Sequence, residues 1–283
     1  MEFYEFYGKS DGTTICLGDF DGLHKGHRKV LAEAAQNGDW GVLLFTHNSK
    51  GEKELLTLSE KLILLKEAGA KYAFAADFEG ELKDKSPEEF VEILKKTGVS
   101  AAAIGYDYRF GKGASGDAGL LKELCAKRGI RVTVADAVTE NGEPVKSARI
   151  RELIKNGDIK EANRLMESPY MISGKVVRGC GNGRLLGFPT ANIAFPEYKL
   201  LPQDGVYKGK VKGRGAVINV GKNPTFDAVK RTVEVHIPSE SGDLYGEDIT
   251  VEFTGRIRGE IKFNSKDELI SQIRKDIESL GGI

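Results

Sequence analysis

The chain has four histidines, and two of them share one short stretch: Leu17-Gly18-Asp19-Phe20-Asp21-Gly22-Leu23-His24-Lys25-Gly26-His27. Spaced three apart at the opening of a helix, His24 and His27 face the same side. Gly26 between them lets a phosphate chain approach the backbone, and the free amides and positive dipole end of the helix favour an anion. Two imidazoles, free amides and a glycine suit a nucleoside triphosphate in transit through a pentacovalent transition state. Such a transfer needs charge stabilisation on the phosphates and no covalent nucleophile. A pair of surface histidines in a polar turn is the plain alternative. The placing of two of the chain's four histidines in one glycine-framed turn favours the phosphate reading.

A second constellation is Gly183-Arg184-Leu185-Leu186-Gly187-Phe188-Pro189-Thr190-Ala191-Asn192. Thr190 and Asn192 are two apart on a strand, so both side chains point to one face. A hydroxyl and an amide carbonyl, with water and phosphate oxygens, make an oxygen-rich shell for Mg²⁺. The preceding glycines leave room for ATP phosphates to meet backbone amides. Taken alone, the stretch is equally a surface strand with two small polar residues.

The elements that must position these groups change in kind along the chain. In the first half Thr13–Leu17, Gly41–Phe45, Tyr72–Ala75, Val99–Ile104 and Ile130–Ala135 read as strands. Helices over Gly26–Gln36, Leu58–Glu67 and Asp117–Lys127 alternate with them. Val30, Leu31 and Ala34 form the apolar face of the first helix, and Leu62, Leu65 and Ile63 those of the second. Ser86-Pro87-Glu88-Glu89 is a helix start, with Ser as N-cap, Pro in the first turn and Glu three on. The pattern predicts βαβ units and a parallel sheet. The strand runs lack a polar alternate face, as strands buried on both sides should. The His24 turn then lies at the carboxyl end of a strand, where open α/β sheets bind ligands.

After about Leu165 the chain carries short β-type runs: Tyr170–Val177, Thr190–Ala194, Val206–Val211, Ala216–Asn219, Thr232–Ile237 and Ile249–Phe253. Six short strands with Gly or Pro turns predict a small antiparallel barrel. Ser265–Leu280 reads as a closing amphipathic helix, with Leu269, Ile273 and Ile277 in register. The boundary is expected near Glu167-Ser168-Pro169, dividing residues 1–167 from 168–283. Dividing 283 residues by about 150 per domain also gives two domains.

Composition narrows the function classes. Lys+Arg and Asp+Glu both number 42, so the net charge is zero. That argues against non-specific nucleic-acid binding, which needs a basic face to release counterions, and against a polybasic membrane-surface protein. Apolar runs fall far below the ~20 residues of a membrane helix. The first residues show no basic region leading into an apolar stretch, so the expected location is the cytoplasm. Cys16, Cys125 and Cys180 lie far apart, which disfavours disulfides or a zinc site and makes Cys16 and Cys125 small core residues. Trp40, just ahead of a strand, is expected to pack rather than stack on a ligand. Glycine is 35 of 283 residues, about 12% against a usual ~7%, which fits tight turns and close backbone–ligand approach.

Phe20-Asp21-Gly22-x-His24-x-Gly26-His27 resembles the signature of nucleotidylyltransferases, in the form found in FMN adenylyltransferases. Gly105-Tyr106-Asp107-Tyr108-Arg109-Phe110-Gly111 resembles that family's loop contacting nucleotide and flavin. Ser147-Ala148-Arg149-Ile150-Arg151 resembles its triphosphate-gripping motif, in which a hydroxyl and a guanidinium hold the phosphates. In the second half, Gly187–Asn192 resembles the G-F-P-T-A-N motif of riboflavin kinases. Asn219-Val220-Gly221-Lys222-Asn223-Pro224-Thr225-Phe226, Glu234-Val235-His236, Gly242–Gly246 and Arg258-Gly259-Glu260-Ile261-Lys262-Phe263 resemble further motifs of that family, in order. Both halves together resemble the bifunctional prokaryotic riboflavin kinase/FMN adenylyltransferases over nearly the whole chain.

The resemblance implies an α/β chain: an N-terminal Rossmann-like nucleotidylyltransferase domain, then a small six-stranded antiparallel β-barrel with a C-terminal helix. It implies phosphorylation of riboflavin by ATP to FMN, then adenylylation of FMN to FAD with release of pyrophosphate, both with Mg²⁺. Glu234, His24 and His27 are the implied catalytic residues, Glu234 as the base for the ribityl 5′-hydroxyl. Nucleotide contacts are implied for Gly18, Asp19, Phe20, Gly22, His24, Gly26, His27, Asp107, Ser147, Arg151, Gly187, Thr190 and Asn192. Flavin contacts are implied for Asp107, Arg109, Glu234 and Arg258, and metal ligation for Thr190 and Asn192. Arg258 could order a flavin-side loop or pair with Glu260. The implied partners are small molecules, with no nucleic acid and no membrane; protein partners are left open.

The N-terminal half departs from its family pattern. Lys146 and Ala148 flank Ser147 where further hydroxyls are usual. Phe45-Thr46-His47-Asn48 keeps the histidine of a family stretch and lacks both its prolines. Losing one charge-assisted hydrogen bond costs about 1.5–3 kcal/mol, and Lys146 could compensate in part as a point charge. Two alternatives therefore stand beside the bifunctional enzyme: a riboflavin kinase with a weak or degenerate transferase half, and a non-catalytic flavin or nucleotide sensor. A third, a different nucleotidylyltransferase built on His24 and His27, is disfavoured by the barrel motifs.

Overall fold

A computed structural model describes residues 1–5, 12–45, 52–179, 181–224, 229–238, 240 and 242–281. His47 and Asn48, and likewise Cys180, Thr225 and Phe226, lie outside the described residues. The chain forms two compact units, Met1–Ser147 and Ala148–Ile283.

The first unit is built on a parallel sheet. Its strands and helices run β1 (Glu2–Glu5), β2 (Thr14–Leu17), α1 (Lys25–Ala35), β3 (Trp40–Phe45), α2 (Leu58–Glu67), β4 (Tyr72–Ala76), α3 (Pro87–Lys96), β5 (Ala101–Gly105), α4 (Ala118–Ala126) and β6 (Arg131–Ala135). A hairpin, β7 (Thr139–Glu140) with β8 (Glu143–Pro144), leads to α5 (Ser147–Lys155). The strand order is β1-β4-β3-β2-β5-β6, every pairing parallel. β1, a strand absent from the sequence reading, adds an edge beside β4.

From β2 the chain winds through β3 and β4 on one side, then returns to place β5 and β6 on the other. The direction of winding therefore reverses between β2 and β5, the place where such sheets bind ligands beyond their carboxyl ends. Ile15, Leu17, Leu43, Phe74, Ala102 and Ile104 pack in one core with Phe90, Val91 and Leu94 of α3 and Leu121 of α4. Ser86 caps α3 in the expected box with Glu89. Trp40, Cys16 and Cys125 are buried packing residues.

One face differs from expectation. α2 buries Leu64 and Leu65 together with the charged Glu60 and Lys61, while Ile63 is exposed. Glu60 is consumed by the capping box with Thr57. Lys61 reaches Asp19 in the turn after β2.

The second unit begins ahead of the expected boundary at Glu167. After α5 comes α6 (Ile159–Met166), and the Asn163 side chain on α6 donates to the Phe253 carbonyl and accepts from the Tyr170 amide. Those bonds tie α6 to the barrel. The barrel runs β9 (Tyr170–Val177), α7 (Asn182–Leu185), β10 (Ala191–Ala194), β11 (Gly205–Val211), β12 (Arg214–Pro224), β13 (Val229–His236) and β14 (Asp248–Arg258), with α8 (Lys266–Glu278) after it. It closes in the order β10-β13-β12-β11-β14-β9, all neighbours antiparallel.

Closure leaves no sheet edge, and Ile172, Ile193, Ile218, Val220, Val233, Val235 and Phe253 are buried. Gly174 is required by the crossing of strands, since a Cβ there would lie 1.8 Å from the Ala194 carbonyl oxygen. On α8 the buried residue is Asp276, not an apolar one.

Candidate functional site

The turn after β2 is a tight structure held from several sides. Phe20 and Leu23 take left-handed backbone conformations, with φ 52° and 36°, and both side chains are buried. Non-glycine residues hold such conformations only where surrounding packing fixes them. Asp21 supplies much of that fixing. Its buried carboxylate accepts from the amides of Leu55 and Leu56, at 3.1 and 2.9 Å, and its carbonyl accepts from Ser147 Oγ at 2.8 Å. Burial raises the Asp21 pKa, while Lys61 and the two amides oppose the rise.

His24 is the N-cap of α1, its Nδ1 accepting from the His27 amide at 3.3 Å. That bond places the His24 proton on Nε2. The two rings stack at 3.7 Å between centroids. A Cβ on Gly26 would sit 3.1 Å from the His24 ring, so a side chain there would crowd the stack. Burial pushes the His24 pKa down from 6.5 to about 4, with Asp107 opposing. His27 falls well below its ordinary value through burial, His24 and Lys61. Both imidazoles are therefore neutral near pH 7, and among the described residues His27 Nδ1 is buried without a hydrogen-bond partner.

The loop after β5 lies beside this turn. Asp107 acts on His24 and binds Lys146 Nζ at 3.1 Å, and the Lys146 ammonium stands 5.7 Å from the Tyr106 ring centre. Ser147 thus joins the turn through the Asp21 carbonyl, and Asp107 joins it through His24. Arg109 is exposed. Arg151, one turn after Ser147 on α5, is buried within the second unit. Lys61 and Asp21 are members of the cluster that the motif reading did not single out. Lys61 lies 34 or more positions from His27 on an ordinary helix, and only its burial marks it.

In the second unit the approach to β10 is shaped by glycines. A Cβ on Gly183 would lie 2.5 Å from the Phe188 carbonyl oxygen and 3.1 Å from Thr190 Oγ1. One on Gly179 would lie 2.2 Å from the Asn192 amide nitrogen. His236 anchors the loop from β13: its Nδ1 lies 2.8 Å from the Pro189 carbonyl, and its ring meets Phe188 edge-on at 5.8 Å. Thr190 Oγ1 then donates to Glu234 Oε2 at 3.4 Å.

Strand register assembles the remainder. Glu234 on β13 stands opposite Asn192 on β10 and opposite Asn219 on β12. Directly opposed residues share a face, so Asn192, Glu234 and Asn219 form one row on the outside of the barrel. Val206 continues the register from Asn219 to Arg258 on β14. Arg258 pairs with Asp276 of α8, through Nε at 3.1 Å and Nη2 at 2.8 Å, and not with Glu260, one of its two expected roles. Glu260 instead lies near Gly221, where an added Cβ would be 3.1 Å from its Oε1.

The donor set at β10 fits a hard cation. Thr190 offers a hydroxyl oxygen and Asn192 an amide, beside the Glu234 carboxylate, the oxygen chemistry that Mg²⁺ takes while keeping waters and substrate phosphates. Among the described residues no cluster of three or more His, Cys, Asp or Glu suits a metal. A cation here would accordingly rest on few protein ligands.

Comparison with known proteins agrees with both halves. The FAD synthetase family model matches residues 8–149 and the riboflavin kinase model residues 166–281. The chain is 33% identical over 285 residues to a bifunctional riboflavin kinase/FMN adenylyltransferase of Escherichia coli, covering 94% of this chain and 91% of that protein. The same description belongs to a Bacillus subtilis protein, 33% identical over 286 residues and covering 93% and 90%. A crystal structure from Streptococcus pneumoniae, described as a macrolide-efflux protein, superposes with a TM-score of 0.87 at 30% identity, covering 98% and 96%. Among the described residues no helix here is long and apolar enough to cross a membrane. The chain belongs to the family of bifunctional riboflavin kinase/FMN adenylyltransferases.

Proposed function

We propose that the barrel phosphorylates riboflavin at the Thr190–Asn192–Glu234 row and that the sheet domain adenylylates FMN at the His24–His27 turn. The observation that carries the reading is the meeting of Thr190, just ahead of β10, and Asn192 on it with Glu234 of β13. In the kinase step Glu234 takes the proton of the ribityl 5′-hydroxyl. That oxygen bonds to the γ-phosphorus of ATP as the bond to the bridging oxygen breaks and ADP leaves. Thr190 and Asn192 hold Mg²⁺ with ATP, and Gly187 keeps the entering loop close to the phosphates. The ion, when bound, neutralises charge on the phosphates. Arg258, held by Asp276, borders the flavin.

In the transferase step a phosphate oxygen of FMN bonds to the α-phosphorus of a second ATP, and pyrophosphate leaves. His24 and His27 act as neutral donors, with the amides at the start of α1. Gly18, Asp19, Phe20, Gly22 and Gly26 shape the turn against the nucleotide. Ser147 serves the phosphates, and Asp107 and Arg109 serve nucleotide and flavin. The substrates are small molecules and the location is the cytoplasm.

Incubation with riboflavin, ATP and Mg²⁺, followed by chromatography, tests both steps together: FMN appears first and FAD after it. One observation favours a second reading. Lys146 stands beside Ser147 where a hydroxyl is usual and is engaged by Asp107, which suits a kinase with a weak transferase half. FMN accumulation without FAD, even when FMN is supplied, is the outcome of that reading.

A further inference from the structure

Lys61 lies on α2, 4% exposed, and its ammonium reaches into the turn that carries His24 and His27. Its hydrogen-bond partner among the described residues is Asp19, at 3.3 Å from Nζ, and the Asp19 side chain is 37% exposed. An ammonium carries three donors, and a buried charge is expensive unless its donors are met. The Asp21 carboxylate, which holds Leu55 and Leu56 just ahead of α2, fixes this helix against the turn. The charge of Lys61 is felt at both Asp21 and His27.

A second, independent observation points the same way. Among the described residues, His27 Nδ1 is buried with no partner. Among the described residues, an ammonium with one partner and a ring nitrogen with none thus meet at one turn, at the carboxyl end of β2. The neutral imidazoles leave the triphosphate's negative charge to be met by other groups, and Lys61 is a buried cation at this turn. An anion in the turn would satisfy His27 Nδ1 and Lys61 together.

We propose that Lys61 binds the triphosphate of ATP in the adenylyl-transfer site, with Asp19 holding its ammonium in place beforehand. The inference rests on the reading of the His24–His27 turn as that site.

The test uses the full chain. In Lys61→Met and Lys61→Gln, the KM for ATP in FAD formation and the Kd for inorganic tripolyphosphate are expected to rise about 10- to 100-fold, the size of one charge-assisted hydrogen bond. FMN formation by the same variants keeps its KM for ATP, and Lys61→Arg recovers part of the lost affinity. A folded Lys61→Met chain with wild-type tripolyphosphate affinity overturns the proposal. So does a variant that loses thermal stability and FAD output with no selective weakening of tripolyphosphate.

His27→Ala separates the two failures. If it impairs FAD formation while Lys61→Met does not, the Lys61 inference falls and the site reading stands. If neither impairs FAD formation, the site reading falls and the inference with it. Should both neutral variants fail to fold, wild-type protein labelled with [15N]lysine decides, its Lys61 Nζ signal assigned through Lys61→Arg. A shift of that signal on adding tripolyphosphate supports the proposal, and an unmoved signal overturns it.

Discussion

The Thr190 hydroxyl donates to Glu234 Oε2 at 3.4 Å although the two residues are 44 positions apart in the chain. The contact links the proposed metal side of the kinase site to its proposed base. It also depends on closure of the barrel, because β10 and β13 are neighbours only by virtue of their register, Asn192 against Glu234 and Ala191 against Val235. A slip of one residue would turn Glu234 into the interior and Val235 out to solvent.

Glu234→Ala is therefore expected to lower the rate of FMN formation by about 10²- to 10⁴-fold, the range for loss of a positioned base, with riboflavin still bound. Rapid-quench assay of FMN and flavin fluorescence titration read the two quantities. Near-normal FMN production by this variant would falsify the assignment of the base.

His236 acts at one remove, through the Pro189 carbonyl that sets the path into Thr190. His236→Phe keeps a ring against Phe188 and removes the donor. It should raise the KM for ATP in FMN formation about fivefold, the worth of one neutral hydrogen bond near 1 kcal/mol. His236→Asn retains a donor near the position of Nδ1 and should recover most of the loss. FAD formation from supplied FMN is the internal control. An unchanged KM in His236→Phe, or no recovery in His236→Asn, counts against the anchoring role.

Much of this architecture was legible in the sequence, and the gaps have physical causes. Strand and helix alternation located β2 to β6 because runs such as Trp40–Phe45 are buried on both faces. The motif turns were legible because glycines and histidines at fixed offsets carry local geometry. β1 was not, since its pairing with Tyr72–Ala75 is a long-range choice that a four-residue strand does not announce. The role of Arg258 stayed open between a flavin-side loop and Glu260 for a similar reason. Glu260 is near in sequence, but Asp276 is delivered by the fold of α8. Lys61 carried no signal in the sequence, because periodicity distinguishes a buried charge poorly from an exposed one. Asn163 ties α6 to the barrel, a bond that the composition at residues 167–169 does not reveal.

Asp276 is 2% exposed and its partner Arg258 is held through three guanidinium contacts, with Gln272 donating to the same carboxylate. Removing one member of a buried pair strands the other charge, at a cost of about 3–5 kcal/mol. Asp276→Ala should lower the unfolding free energy of the barrel by roughly the lower end of that range, because the Arg258 side chain retains some solvent access. Asp276→Asn, which preserves an acceptor, should lose less. Denaturant titration measures both. Equal stability of Asp276→Ala and the native chain would show that α8 is not held by this pair.

The depressed pKa of His24 gives the first unit a defined pH response. Folding lowers this imidazole from 6.5 to about 4. The unfolded chain therefore binds the proton more readily, and stability falls as pH drops from 6.5 through 4. The difference corresponds to roughly 3 kcal/mol when fully expressed. His27, also depressed, adds in the same direction. Asp21 works against them: its raised folded pKa contributes stability at low pH that is lost as pH rises through that value. His24→Asn isolates the term, since Asn remains a good N-cap for α1 and does not titrate. Thermal unfolding between pH 7 and 4 should show the native chain losing about 3 kcal/mol more than the variant across this window. Parallel pH curves for the two proteins would mean that His24 is not held neutral by the turn, and that its stacked position beside His27 does not govern the acid limit of the sheet domain.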